Sequence, residues 1–235
     1  GTLTDLKDNP DNVFATLNPL ATSSYTTLSK GNTESLGGTS DNGNTFSTLA
    51  PNSGKYYVES KIATESSGYP YVGVKQINTP EFGRLLNSTS GLAGYSNTSE
   101  ASYKLNGQKY SNNGVSSFGD TFVSGDIVSL AIDCDNGACY ASRNGVWQNS
   151  GDPTSGANKT GALVTWTPAD SDGVAFAVAD YNNSKTQTNF GNGYFGTTAI
   201  TTNSGNGYSG AEGSSKFNYT VPTGYSALST KGLNE

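Results

Sequence analysis

Histidine is absent from this chain, and its absence removes a large part of catalytic chemistry. No Ser-His-Asp or Cys-His arrangement can form, and zinc loses its commonest ligand. Cysteine occurs twice, too rarely for a thiolate zinc site. Charge is sparse: Asp, Glu, Lys and Arg make up 14% of the 235 residues, against roughly 25% in ordinary globular domains. The net charge is −6, and the basic residues stand singly, as Lys55, Lys61, Lys75, Arg84 and Lys104 do. Such a chain has no basic footprint for nucleic acid and no attraction to an anionic membrane. The longest apolar run, residues 174–179, is too short to span a bilayer. No basic, apolar and cleavage-site succession opens the chain at Gly1, so no signal peptide is expected. Methionine is missing even from the first position, which points to a processed product or a segment of a longer polypeptide.

What is abundant is turn chemistry and aromatic rings. Glycine supplies 30 positions, and 14 Tyr, 9 Phe and 2 Trp are spread along the sequence, which argues against disorder despite the polar composition. Asn-Gly recurs at 42–43, 106–107, 113–114, 136–137, 144–145, 192–193 and 206–207, and both residues tolerate the positive φ of tight hairpin turns. No segment longer than ten residues has an apolar 3.6 period, so almost no helix is expected. Strands are expected at 55–63, 71–74, 122–123, 127–133, 139–143, 174–179 and 186–190. The alternation of Val128, Leu130, Ile132 and Cys134 with Ser129, Ala131 and Asp133 predicts one packed and one wet face. The fold class is all-β, an antiparallel sandwich: an N-terminal arm over residues 1–20, then one domain over 21–235. The similar stretches 191–196 and 205–210 are too short to mark a repeat.

A two-residue turn at Asn136-Gly137 would set Asp135 against Ala138 and Cys134 against Cys139. In a non-hydrogen-bonded pair their Cα atoms would lie about 4.5 Å apart, at the short edge of disulfide geometry. Two readings stand side by side: a disulfide Cys134–Cys139, or two buried thiols acting as small apolar residues. Asp133 and Asp135 mimic the opening of an EF-hand loop, but position twelve is Asn144 and no helices flank it. Asp170 and Asp172, with Asp180, could gather oxygen ligands. Solvated carboxylates are the simpler reading of both sets, and no metal or other cofactor is expected. Five Asn-x-Ser/Thr sequons, at 87, 97, 158, 182 and 218, are what chance gives in a chain this rich in Asn, Ser and Thr.

A series of short motifs then follows in order: Gly54-Lys55-Tyr56-Tyr57-Val58-Glu59, Tyr71-Val72-Gly73-Val74, Gly125-Asp126-Ile127-Val128, Ile132-Asp133 through Asn136-Gly137, Arg143-Asn144-Gly145, and Asn189-Phe190-Gly191. Across residues 45–192 this resembles the SPRY domain, a bent antiparallel sandwich related to the concanavalin-like jelly roll. Asp8-Asn9-Pro10, the stretch from Asn12 to Leu20, Asn206-Gly207-Tyr208 and the closing stretch from Val221 to Leu228 are similar to SPRY-like domains of tailed-bacteriophage virion proteins, marine ones especially. Cys134 and Cys139 depart from the large aliphatics usual at those hairpin positions.

The resemblance implies a non-catalytic virion protein at the virion surface or otherwise extracellular, tail-associated (a tail-fibre component) or capsid-decorating. Its partners would be other virion proteins and copies of itself, and it would adhere to a host-surface glycan or protein through loops at one end of the sandwich. The loops 91–110, 151–172 and 180–185 carry the candidate contact residues Tyr95, Tyr103, Tyr110, Trp166 and Tyr181. Two alternatives remain: a purely structural assembly module, and a polysaccharide-degrading enzyme. The last lacks the Glu-x-Asp-x-x-Glu strand of glucanases on related folds, and its seven Glu are scattered.

Overall fold

The computed structural model describes residues 12–78, 93–95, 97–200 and 209–234. Residues 8–11 of the lead-in, Gly91 of the first candidate loop, Asn87 and Asn206-Gly207-Tyr208 lie outside these. In chain order the strands are β1 (Leu17–Thr22), β2 (Thr26–Ser29), β3 (Glu34–Gly37), β4 (Gly43–Ser47), β5 (Lys55–Thr64), β6 (Tyr71–Gln76), β7 (Ala101–Lys104), β8 (Gln108–Ser111), β9 (Gly114–Ser117), β10 (Ile127–Asp133), β11 (Ala138–Arg143), β12 (Val146–Trp147), β13 (Val164–Thr165), β14 (Val174–Asp180), β15 (Lys185–Asn189), β16 (Tyr194–Phe195), β17 (Thr198–Ala199) and β18 (Ser226–Ala227). A seven-stranded sheet runs β1-β4-β14-β6-β7-β8-β9. A nine-stranded sheet runs β12-β11-β10-β5-β15-β3-β2, with β13 beside β11 and β18 beside β5; β16 and β17 make a separate ribbon. Apart from the parallel β18–β5 contact, the strand pairings among the described residues are antiparallel. Helix among the described residues is limited to three-residue 3-10 turns.

The core follows from strand alternation. In β14, Val174, Phe176 and Val178 enter the main core with Val72 and Val74 of β6, their register partners or neighbours, and Phe176 meets Phe190 edge-on at 5.5 Å. The other face of β14 is Ala175, Ala177 and Ala179, small enough for Phe46, Ala21 and Ala93 to pack over the first two.

Four expectations need correction. Residues 12–20 are not a free arm: Phe14, Ala15 and Leu17 are buried, Ala15 N–H donates to Leu228 O at 2.8 Å, and β1 forms the edge of the seven-stranded sheet. Residues 122–123 form no strand, because Phe122 N–H donates to the Leu105 carbonyl and Val123 N–H to the Asp126 carboxylate.

The β10–β11 hairpin has a four-residue connection, not a two-residue turn: Asp133 faces Ala138 and Ile132 faces Cys139. A type I′ turn needs positive φ at both central residues, and only Gly137 adopts it, at 70°. Asp133 favours the wider turn by accepting from Asn136 N–H and Nδ2, each at 2.9 Å, while Gly137 N–H donates to Asp133 O. Cys134 thus leaves the ladder and donates its N–H to Gly54 O, and both cysteines are free, buried thiols.

Finally, β10 has no wet face; all seven residues are buried. Ser129 and Ala131 pair with Glu59 and Tyr57, and the segment 217–219 covers that face. Phe217 meets Tyr57 edge-on at 4.9 Å, and Asn218 and Tyr219 N–H both donate to Glu59 at 2.8 Å.

Candidate functional site

The pleat of β6 sends Val72 and Val74 inward and Tyr71 to the opposite face. Gly73 pairs with Ser102, and Ser102 with Tyr110, so Tyr110 rises on the face that carries Tyr71. The rings of Tyr71 and Tyr110 lie 6.2 Å apart at 54°. Tyr69 stacks on Tyr71 at 4.4 Å and 8°, and Tyr181 meets Tyr69 edge-on at 5.5 Å. Tyr95 packs against the same cluster, whose floor is Ala179, the register partner of Tyr71.

Five tyrosines thus form one patch, with Tyr110 buried and Tyr69, Tyr71, Tyr95 and Tyr181 half-buried. Lys104 Nζ stands 5.2 Å from the Tyr71 ring, a cation–π distance. The loops are braced locally: Tyr110 Oη donates to Asn113 Oδ1 at 3.0 Å, and Asn182 Nδ2 donates to Ser66 and Ser67 Oγ at 3.1 and 2.8 Å. Burial pushes the Tyr110 phenol up to about 12 and that of Tyr69 further, so both remain hydrogen-bond donors near neutral pH.

Of the sequence candidates, Tyr95, Tyr110 and Tyr181 come together here. Tyr69 and Tyr71 were missed, although Tyr71 alternates with Val72 and Val74 in the sequence. Tyr103 is a core residue, not a contact residue: it lies on β7 facing inward, meets Phe118 and Phe122 edge-on, and its hydroxyl donates to Asp120 O. Trp166 lies elsewhere. It lines a cleft with Gln76 at the far end of β6, while Tyr71 begins that strand, so roughly 17 Å of strand separates the two places. The candidates do not share one end of the sandwich.

Asp133, Asp135 and Asp180 are occupied structurally. Asp133 is buried and paired with Lys55 Nζ at 3.0 Å, not solvated, and Asp135 accepts from Gly54 N–H. Asp170 and Asp172 precede β14 whereas Asp180 ends it, so the three cannot gather around one ion. Asp180 is fully buried and accepts from Ser35, Ser184 and Thr186 hydroxyls; burial outweighs those bonds and raises it to about 7. Glu59 is likewise raised to about 7 by burial, against the N–H bonds from Asn218 and Tyr219. Perturbed acids can mark catalysis, but both of these are shut away from solvent.

No family model matches the sequence, and no curated protein matches it either. Among solved structures, the SPRY domain of human HERC1 superimposes with a TM-score of 0.53 at 15% identity, covering 73% of this chain and 96% of that one. A human SPRY domain gives 0.50 at 13% identity, over 71% of this chain and 95% of the other. Stonustoxin gives 0.54 at 19% identity over 75% of this chain, which spans only 27% of the toxin's length. With two antiparallel sheets and these neighbours, the chain has a SPRY-like β-sandwich fold.

Proposed function

We propose that this domain is a non-catalytic recognition module that binds a partner protein through the tyrosine patch. The clustering of Tyr69, Tyr71, Tyr95, Tyr110 and Tyr181 carries this reading. Tyrosine-rich surfaces with few charges are the composition of interface hot spots, since the rings bury much area at low entropic cost. The phage-like lead-in and closing segments support a place on a virion, with a host-surface protein as partner. The test is binding of labelled domain to host cells. Tyr71→Ala and Tyr181→Ala are each expected to weaken it at least tenfold while leaving the far-UV spectrum unchanged. Binding should vanish after protease treatment of the cells and survive periodate oxidation; the reverse would make the ligand a glycan. Equal binding by the variants, or release of reducing ends from host polysaccharide, would overturn the proposal.

One observation favours the assembly reading. All four residues of β9 are exposed, with Val115 53% exposed, and among the described residues no further strand pairs with it at the edge of the seven-stranded sheet, so that edge could pair with a copy of itself or a virion protein. Stable oligomers in solution, with cell binding absent, would support it, as would a fixed copy number in purified particles.

A further inference from the structure

Four strands end the two main sheets: β1 and β9 on one, β12 and β2 on the other. An open edge offers unpaired N–H and C=O groups to another chain, and proteins blunt it with proline, charge, bulges or short length. β1 carries Pro19 and a register shift, β12 has only two residues, and three of the four residues of β2 are half-buried. β9 has none of these devices: Gly114, Val115, Ser116 and Ser117 are uncharged and all exposed. Its ladder to β8 determines which backbone groups are free. Asn112 and Asn113, both at positive φ, make a two-residue turn, so the flanking pair Ser111–Gly114 is hydrogen-bonded and the pairs alternate from there. Gly114 and Ser116 therefore turn their N–H and C=O to β8. Those of Val115 and Ser117 point away from it, to the side where no further described strand pairs.

The neighbouring side chains decide what can occupy the edge. Val115 is the register partner of Tyr110, and Ser116 of Lys109; opposed residues share a face. Val115 thus stands 53% exposed on the face of the tyrosine patch, and Lys109 stands behind the short side chain of Ser116 on the other face. Between residues 101 and 119 the chain has two lysines, Lys104 and Lys109, and no Asp or Glu, although its net charge is −6. No described carboxylate pairs with either lysine. This corner is basic in an acidic molecule. A second copy would bring the same two lysines against their own kind, whereas carboxylates would be drawn to them. We propose, on the assembly reading of this edge, that β9 takes up an extended acidic segment of another protein as a further, antiparallel strand. The partner residue opposite Val115 exchanges both backbone hydrogen bonds with it and is apolar, covering the valine. The residue before it lies opposite Ser116 and is acidic, meeting Lys109.

The test uses the full chain, isotope-labelled for amide spectra, and two end-capped peptides at neutral pH: Glu-Val-Glu-Val-Glu-Val-Glu and its counterpart with Lys for every Glu. The acidic peptide is expected to bind with a Kd of the order of 0.1–1 mM, about fivefold more tightly than the basic one. The net charge of the chain favours the basic peptide, so the opposite preference reports the edge itself. At saturation, amide exchange should slow at Val115 and Ser117 and change little at Gly114 and Ser116. Val115→Pro removes an edge donor but no ladder bond to β8, a change that solvent-facing edge strands tolerate, so it should abolish binding with the rest of the amide spectrum unchanged. Lys109→Gln should reduce the preference for the acidic peptide about threefold. Tyr71→Ala should leave peptide binding unchanged, which separates this edge from the patch. Equal or tighter binding of the basic peptide, or unaltered exchange at Val115 and Ser117, would overturn the proposal. So would self-association of the chain alone that Val115→Pro abolishes; the edge would then belong to a copy, and the assembly reading would stand without this occupant.

Discussion

A tyrosine on a strand becomes core or contact according to its pleat, and a cysteine's reactivity is set as locally. Tyr71 and Tyr103 sit on adjacent strands, yet one ring joins the outer patch and the other packs on Phe118 and Phe122. The same local control governs the two thiols. Burial pushes Cys134 up to about 12 and Cys139 still higher, and among the described residues no cation beside either sulfur opposes it. Both sulfurs lie within weak hydrogen-bonding range of carbonyl oxygens, Pro51 O for Cys134 and Tyr140 O for Cys139. The folded protein should therefore resist a thiol reagent at pH 8, and two thiols per chain should react once guanidinium unfolds it without reductant. No reactive thiol in the denatured sample would show that the cysteines are cross-linked after all.

At the level of the element, the β10–β11 hairpin both holds the sheet and sets Trp166. Gly137 has φ at 70°, and a Cβ there would stand 2.2 Å from Trp166 O. Gly137→Ala should cost about 2–4 kcal/mol, combining left-handed strain with a backbone clash that no rotamer relieves. Gly125 is the control: its φ is 98° but no described residue lies within 4 Å of an added Cβ, so Gly125→Ala should cost about 1 kcal/mol. Urea unfolding measures both, and equal costs would refute the clash. Strand existence at 55–63, 127–133 and 174–179 was legible because β-branched and aromatic runs ended in turn residues. The register at the hairpin tip was not, since Asn136-Gly137 is also compatible with a wider turn once Asp133 can cap it. Tyr95, Tyr110 and Tyr181 could be named from the sequence, but their convergence depends on which strands neighbour β6, and sequence order does not reveal that.

Over the whole molecule, the burial of β10 on both faces arises from the C-terminal segment, which looks like loop in the sequence because its strand is two residues long. Glu59 holds that segment by accepting from Asn218 and Tyr219 N–H, and Asp180 joins the two sheets through Ser35 and Thr186. Both acids carry folded pKa values raised to about 7, from ordinary values of 4.5 and 3.8. Between those limits the folded chain keeps protons that the unfolded chain has already released. Stability from these groups is therefore fully present below about pH 4 and is lost as pH rises toward 7. Each group can contribute of the order of 3–4 kcal/mol across that interval. The melting temperature should fall between pH 5 and pH 8, opposite to a protein whose carboxylates are held by ion pairs. Glu59→Gln should flatten this fall while lowering stability at pH 5, where the amide replaces a protonated acid that already serves the two N–H groups. A melting temperature that climbs from pH 5 to pH 8 would mean that the hydrogen bonds to Glu59 and Asp180 outweigh their burial, and that both stay ionised inside the fold.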